Sequence, residues 1–422
     1  MRFFTLFFVC LLAVSLSACQ SLSLFSSNEP EFDLDTLAAI EPAVLHVDKI
    51  PTLNLNVSKV IENYTQLLPM LQDPDAQIRV LHRLADLKLQ KGELLMADQA
   101  IDELEVAVSA YQGLLVKYPM REDNDHVLYQ LSKTYDLKGM REAHLATLDR
   151  IVNDFPNSEF YVEVQFRRGE LLFTDEHYLK AQQAFETVIS AGDSVFLANS
   201  HYMHGWSLFK QTEYQPALVS YSKVLDLLLR ENLGDEQQSD SRVDEKYQTM
   251  VQDLLRVMSL SFSYLGGADS LSSLFESTGE KYYEDLVYRN YSEFLISKEQ
   301  YSDAIAVFNG FITRQPLDRW SPRFQVSLIN TLKLAGFKRD IYDEKIRFIA
   351  TYGLGSEYWE FHTNIDGGRG LAFTRDRLES LLIEISDLHY VKAQTAQKKK
   401  QRSLAKKEFT TSARYNRAFI ET

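Results

Sequence analysis

The sequence predicts an all-α solenoid of about seven to eight helix pairs wound into a right-handed superhelix. Three observations carry this reading. Apolar residues recur at helical spacing through most of the chain, and the 17 glycines and 10 prolines fall between the apolar runs. The stretch from Val162 to Val224 reads as one helix pair written twice. Laid on itself at an offset of about 36 residues, it sets Gly169 on Gly205, Leu172 on Leu208, Tyr178 on Tyr214, Ala181 on Ala217, Phe185 on Tyr221 and Val188 on Val224. Stacked repeats bury their apolar faces only against neighbours. That is how a chain of 422 residues can exceed the ~250 to 300 residues at which a single core stops growing.

The order small, large, aromatic, Ala, aromatic, apolar is close to the tetratricopeptide (TPR) pattern, so the pairs are expected to be TPR-type. Composition narrows the partners. A formal net charge of -14 excludes nucleic acid as the main partner, because such binders carry a basic footprint. Only two cysteines are present, Cys10 and Cys19, both near the N-terminus. The body of the protein therefore holds no disulfide framework and no cysteine-based metal site.

The N-terminus reads as an address. Met1 and Arg2 precede an apolar run from Phe3 to Leu16, the layout of a signal peptide over 1–18 and too short for a membrane span of ~20 residues. Cys10 lies inside that run as a small hydrophobe. Leu16-Ser17-Ala18-Cys19 resembles a bacterial lipobox. The resemblance implies acylation of the Cys19 thiol. Gln20 and Ser21 lack the aspartate associated with inner-membrane retention, which implies the outer membrane, lipid-anchored, on the periplasmic side. Two or three acyl chains suffice for stable attachment. Residues 19–56 are polar and acidic and read as the lipidated cysteine followed by a flexible tether.

Residues 57–230 hold the N-terminal repeats. Val57 to Leu71 is an amphipathic segment with Val60, Ile61, Tyr64, Leu67 and Leu68 on one stripe, placed to cap the first repeat. Asp73-Pro74-Asp75 stops it and supplies an N-cap. The next helix, Ala76 to about Lys91, turns Ile78, Leu81, Leu84, Ala85 and Leu87 to a core; its partner carries Ala107, Tyr111 and Leu114 and ends at Pro119, which cannot continue a helix. A repeat from Asp125 follows with Leu128, Leu131, Tyr135, Leu148, Ile151 and Pro156. Its departure is His144 at the position of Ala, which predicts a wider or rotated pair. The two founding copies come next.

Residues 231–245 form an acidic loop without the alternating acids, central Gly and terminal Glu of a calcium loop. Residues 246–356 hold degenerate and C-terminal repeats. There Tyr247 to Tyr264 is a strongly apolar helix turned by Gly266-Gly267, and Asp269 is expected to cap a short helix through Phe275. The full motif returns with Tyr288, Tyr291, Leu295, Tyr301, Ala304, Phe308, Phe311 and Pro316, and a further pair spans Arg323 to about Tyr352. Residues 357–374 read as a non-repeat connector whose Asp366-Gly367-Gly368-Arg369-Gly370 is a turn, lacking the Gly-Lys-Ser/Thr of a phosphate loop. Residues 375–422 predict a final helix pair, with Tyr415 and Ala418 at the motif's aromatic and small positions. No capping helix follows, so the expectation is that the natural protein continues as a longer repeat array.

Whole phrases reinforce the repeat reading: Leu148-Asp149-Arg150 with Phe155-Pro156, Gln165-Phe166-Arg167-Arg168-Gly169-Glu170, His204-Gly205-Trp206-Ser207-Leu208-Phe209-Lys210, Leu255-Arg256-Val257-Met258-Ser259-Leu260 and Tyr358-Trp359. Together they resemble a family of large proteobacterial TPR lipoproteins, from about Val57 to the C-terminus. The resemblance implies a scaffold whose partners are other cell-envelope proteins, with TonB-like and gliding-motility systems as the associated settings. At the fold level the chain is also similar to the lipoprotein that assists outer-membrane barrel assembly.

No catalytic constellation stands out, and neither enzymatic activity nor a cofactor is expected. His201 and His204 are three apart on one helix but lack an adjacent His-Glu pair or a carboxylate at fixed distance, so they read as packing residues and not as metal ligands. No serine sits in a Gly-x-Ser-x-Gly elbow. Trp206, Trp320 and Trp359 read first as packing. Lys398, Lys399, Lys400, Arg402, Lys406 and Lys407 form one basic cluster, open to three readings: a solvated helix face, contact with anionic lipid head groups, or contact with an acidic partner. In the scaffold reading, first helices line a concave wall that takes an extended peptide or helix, and Gln165, Asn199, Tyr202 and Met203 are expected to face outward on it. The alternative is a spacer or docking region for an enzymatic or cell-wall-binding domain beyond residue 422.

Overall fold

A computed structural model describes residues 56–422 except 95–96, 193, 231–242 and 369. Cys19, the signal peptide, nearly all of the tether and most of the acidic loop lie outside the described residues. The described chain is helical nearly throughout. Its eighteen α-helices are α1 (Val57–Leu67), α2 (Pro74–Leu94), α3 (Ala97–Lys117), α4 (Asn124–Leu137), α5 (Arg141–Asp154), α6 (Tyr161–Thr174), α7 (Tyr178–Ala191), α8 (Leu197–Lys210), α9 (Tyr214–Leu228), α10 (Gln248–Leu265), α11 (Ala268–Thr278), α12 (Glu284–Ser297), α13 (Tyr301–Arg314), α14 (Ser321–Leu334), α15 (Lys338–Tyr352), α16 (Glu357–Asp366), α17 (Ala372–Lys398) and α18 (Arg402–Glu421). Among the described residues none of these helices is long and apolar enough to cross a membrane.

Helices pack as consecutive pairs, α2 with α3, α4 with α5, and so on to α14 with α15, and then α17 with α18. The second helix of a pair packs on the first helix of the next except at the short α11, which packs on α13 while α10 meets α12, and α15 reaches past α16 to α17. This is an all-α, TPR-type solenoid of eight pairs. Helix α1 rides on α2 with its stripe half-buried, as a cap does. Asp73 is the N-cap of α2, its carboxylate accepting from the amides of Asp75 (3.2 Å) and Ala76 (3.1 Å).

One turn joins the two helices in six of the pairs. Gly139, Glu176, Thr212, Glu299, Gly336 and Lys400 all stand in the left-handed region, with φ between 58° and 74°. The amide of each donates to the carbonyl three residues back, and the next amide reaches five residues back, as in Thr212 to Phe209 (3.0 Å) and Glu213 to Leu208 (2.9 Å). These two bonds are a Schellman cap, which satisfies carbonyls the helix end would leave unpaired. The turn fixes where the second helix starts, and so which of its residues face the first.

What they face is a set of small residues. A Cβ on Gly169 would lie 2.6 Å from the Phe185 ring, and one on Gly205 would lie 2.4 Å from the Tyr221 ring. Ala181 and Ala217 beside them are 0% exposed. Four apolar cores result among the described residues. A large one runs from Leu208 to Leu332, flanked by one between Ala85 and Val164 and one between Val326 and Tyr415. The smallest lies between the first two and comprises Phe166, Leu172, Ala181, Phe185 and Val188.

Two expectations need correction, Asp269 as a cap and Ala418 as the motif's small residue, and two others gain detail. Asp269 does not cap α11: Gly267 is the N-cap residue, at φ 72°, and Asp269 sits in the first turn, where a carboxylate favours the helix dipole. The stretch read as a connector contains a helix, α16, held against α15 by Trp359, whose indole donates to the Tyr352 carbonyl at 2.5 Å. In the last pair the Lys400 turn places Ala405, 6% exposed, in the position of Ala217, so Ala418 is not the motif's small residue. At His144 the expected alanine position is filled by a buried imidazole whose Nδ1 lies 3.5 Å from Asp136.

Candidate partner-binding face

The first helices of successive pairs touch through a line of aromatic and charged side chains. Tyr129 of α4 stacks on Phe160 at 4.2 Å and donates its hydroxyl to Glu163 of α6 at 3.0 Å. Phe166 of α6 stacks on Phe196, just before α8, at 4.9 Å, with the Arg167 guanidinium over both rings at 5.6 and 5.9 Å. Tyr202 of α8 donates to Asp253 of α10 at 2.5 Å and meets Trp206 edge to face. From Trp206 the rings continue through Phe209 and Tyr214 to Tyr264, which stacks on Tyr214 at 4.8 Å. Further along, Arg289 of α12 and Arg323 of α14 lie over Trp320 at 5.1 and 5.3 Å, and Arg323 also covers Phe373 of α17 at 4.2 Å.

The register of this line is set by the turns. Tyr129, Phe166, Tyr202, Arg289 and Val326 each stand the same distance before a left-handed turn residue, Gly139, Glu176, Thr212, Glu299 and Gly336. One repeat position therefore supplies three aromatics and then an arginine. Most of these side chains are half-buried, with one face packed and one wet. Rings with a polar tip in that setting suit partner contact.

Electrostatics ties the line together. Burial, and then the bond to Glu163, pushes the Tyr129 phenol up to about 12. Burial and Asp253 push Tyr202 up to about 12 as well. Burial alone would raise Asp253; the hydrogen bonds from Tyr202 and Arg256 outweigh it and hold the carboxyl below its usual range. Both phenols are thus neutral donors at neutral pH, and the Asp253 carboxyl is charged.

The four residues expected to face outward divide. Tyr202 belongs to the line just described, and Asn199, half-buried, lies one turn before it on the same helix. Met203 packs against the Phe166 and Phe185 core. Gln165 is only 4% exposed, donating to the Tyr161 hydroxyl at 3.0 Å while its Oε1 has no partner among the described residues. The reason is helical spacing: Gln165, Gly169 and Leu172 share one stripe, and that stripe is packed against α7. Of the residues not anticipated, Phe166 had a signal in the sequence. Phe166 falls on Tyr202 at the same offset that matches Gly169 with Gly205.

His201 and His204 are not paired as ligands. His204 uses both ring nitrogens, on Ser220 at 2.7 Å and Glu186 at 3.2 Å. The Nδ1 of His201 is buried without a partner among the described residues, and burial with the nearby His204 lowers its pKa to about 4. Among the described residues no group of three or more His, Cys, Asp or Glu is placed to hold a metal ion.

No family model matches the chain, and no curated protein matches it. Solved structures do. A crystal structure of YrrB, described as a TPR protein with an unusual peptide-binding site, is 17% identical over 50% of this chain and 94% of its own, with a TM-score of 0.30. A tetratricopeptide repeat protein from Parabacteroides merdae is 12% identical over 71% of this chain and 98% of its own, with a TM-score of 0.31. A double mutant of MamA from strain RS-1 is 12% identical over 53% of this chain and 97% of its own, with a TM-score of 0.32.

Proposed function

We propose that this chain is a non-enzymatic scaffold that holds other cell-envelope proteins along its first-helix face, tethered through acylated Cys19 to the periplasmic side of the outer membrane. The observation that carries the scaffold reading is the line of half-buried aromatics and arginines on consecutive first helices, from Tyr129 on α4 to Arg323 on α14. A stack of such helices offers one extended surface, which suits a peptide or helix of a partner better than a small molecule. The anchor reading rests on the Leu16-Ser17-Ala18-Cys19 sequence. Envelope assemblies of the TonB-like or motility kind are the settings to search first.

Cross-linking in cells followed by mass spectrometry identifies the partner. Replacing Tyr129, Asn199, Trp206 and Arg289 together by Ala lowers partner capture while helix content stays constant; unchanged capture removes this face from consideration. Fatty-acid labelling of the parent and Cys19→Ser chains tests the anchor, which fails if both label equally.

A further inference from the structure

The cations at the far end of the α17/α18 hairpin take no part in the first-helix face. Lys398, Lys399 and Lys400 close α17, and Arg402, Lys406 and Lys407 open α18. The left-handed Lys400 turn, φ 58°, folds these two groups back beside each other, so that all six stand around one tip. With 27 residues, α17 is about 40 Å long. All six side chains are exposed, and none has a carboxylate or hydrogen-bond partner among the described residues. From His389 to Ala413 seven Lys and Arg residues stand against one acid, Glu408. That acid is spent inside the hairpin, its Oε2 2.5 Å from Nδ1 of His389. Leu404, in the middle of the basic group, is 45% exposed.

We propose that this tip docks on an anionic phospholipid surface. Five of the six cations are Lys, a compact hydrated point charge without the planar fork by which Arg grips a placed carboxylate. Such a set fits a diffuse sheet of phosphate charge better than the fixed acids of a folded partner. A group of four to eight Lys and Arg on a helix is the size that anionic bilayers attract, and each cation near the surface is worth roughly a fivefold gain. Leu404 adds an aliphatic contact at the same level. Nucleic acid fits less well: Phe409, the ring nearest this end of α18, is packed edge-on against Tyr390 at 5.7 Å and so is not offered for base stacking. The remainder of a chain with net charge -14 cannot supply the attraction. The surface is independent of Cys19 acylation and of any protein held on the first-helix face.

The test is co-sedimentation of the full chain with vesicles of phosphatidylcholine alone or with about one-third phosphatidylglycerol. Two variants accompany the parent: Lys398→Gln/Lys399→Gln/Lys406→Gln/Lys407→Gln, and the same four positions changed to Arg. Whatever residues 1–55 contribute is common to all three chains, so the reading is the gain produced by phosphatidylglycerol. The parent and the Arg variant gain at least about tenfold, less as salt rises from about 50 to about 300 mM. The Gln variant loses the gain with an unchanged circular-dichroism spectrum. An equal gain in parent and Gln variant, or no gain in the parent, overturns the proposal. Retention of the parent on immobilised polyglutamate without any phosphatidylglycerol gain also overturns it, in favour of an acidic protein. Partner capture by the first-helix face is read in a separate assay, so either idea can fail alone.

Discussion

Gly205 and Tyr221 are mutually exclusive in volume: a methyl group on Gly205 would stand 2.4 Å from Cε1 of a ring that is 0% exposed. The same relationship joins Gly169 to Phe185. Helix α8 can lie this close to α9 only because one of the two surfaces has no side chain.

Gly205→Ala is therefore expected to destabilise, although Ala is favoured over Gly in a helix by about 1 kcal/mol. Displacing a fully packed ring costs about 1–3 kcal/mol, so the net effect is a loss. Thermal denaturation of the two chains measures it. A rise in Tm would mean that the ring has room to move.

Tyr221→Phe is expected to be neutral or to stabilise by up to about 1 kcal/mol, because the Tyr221 hydroxyl is buried without a partner among the described residues. Tyr283→Phe is expected to do the opposite. Its one hydroxyl proton is shared between the Ser222 carbonyl at 3.0 Å and Asp226 at 2.8 Å, and Asp226 in turn holds Lys281 at 2.9 Å. Removing that donor leaves two acceptors short and costs about 1–3 kcal/mol. Urea midpoints of the two variants should move in opposite directions or, at the least, differ by that amount.

Thr212→Gly is expected to stabilise by about 1 kcal/mol. A β-branched residue at φ 64° carries steric strain that glycine lacks. The gain is partly offset by the greater freedom of glycine in the unfolded chain. Gly139→Thr, the reverse change at the equivalent turn, is expected to lose stability by a similar amount. Equal melting temperatures for both variants and the parent would show that the turn tolerates either residue.

Stability is expected to fall as the pH drops below about 6.5. His201 is neutral in the folded protein down to about pH 4, whereas an unfolded histidine takes its proton near 6.5. The unfolded state thus binds the extra proton between those values. The His201 contribution is fully present above about pH 6.5 and is lost progressively toward pH 4, amounting to about 2–3 kcal/mol. His144 and His204, also lowered, add in the same direction. A His201→Leu chain should show a shallower loss of urea resistance between pH 7 and 4.5 than the parent; parallel curves would assign the loss to other groups.

The repeat was legible because its core positions are chosen by volume, and volume shows in residue type. Gly169, Leu172, Ala181, Phe185 and Val188 and their five counterparts are all buried. Tyr178 and Tyr214 match equally well but are half-buried, each beside a first-helix aromatic, Phe173 and Phe209. Sequence identity alone does not separate packing from surface use there. The turns were harder to read. Four of six left-handed residues are Glu176, Thr212, Glu299 and Lys400, so the usual glycine signal is missing. Gln165 misleads because a polar side chain suggests a wet position. Its place on the stripe shared with Gly169 and Leu172 decides its burial, and its residue type does not.

Pairs that touch only their neighbours also give the molecule a graded response to tension. A pull along the chain loads each pair in series, so the weakest junction yields first. The α6/α7 pair closes the smallest of the four cores, five buried residues between two larger clusters. By the extent of apolar burial it is the place where extension should begin. For a scaffold strung between a surface and a partner, that junction would act as a mechanical fuse, lengthening before either attachment is lost.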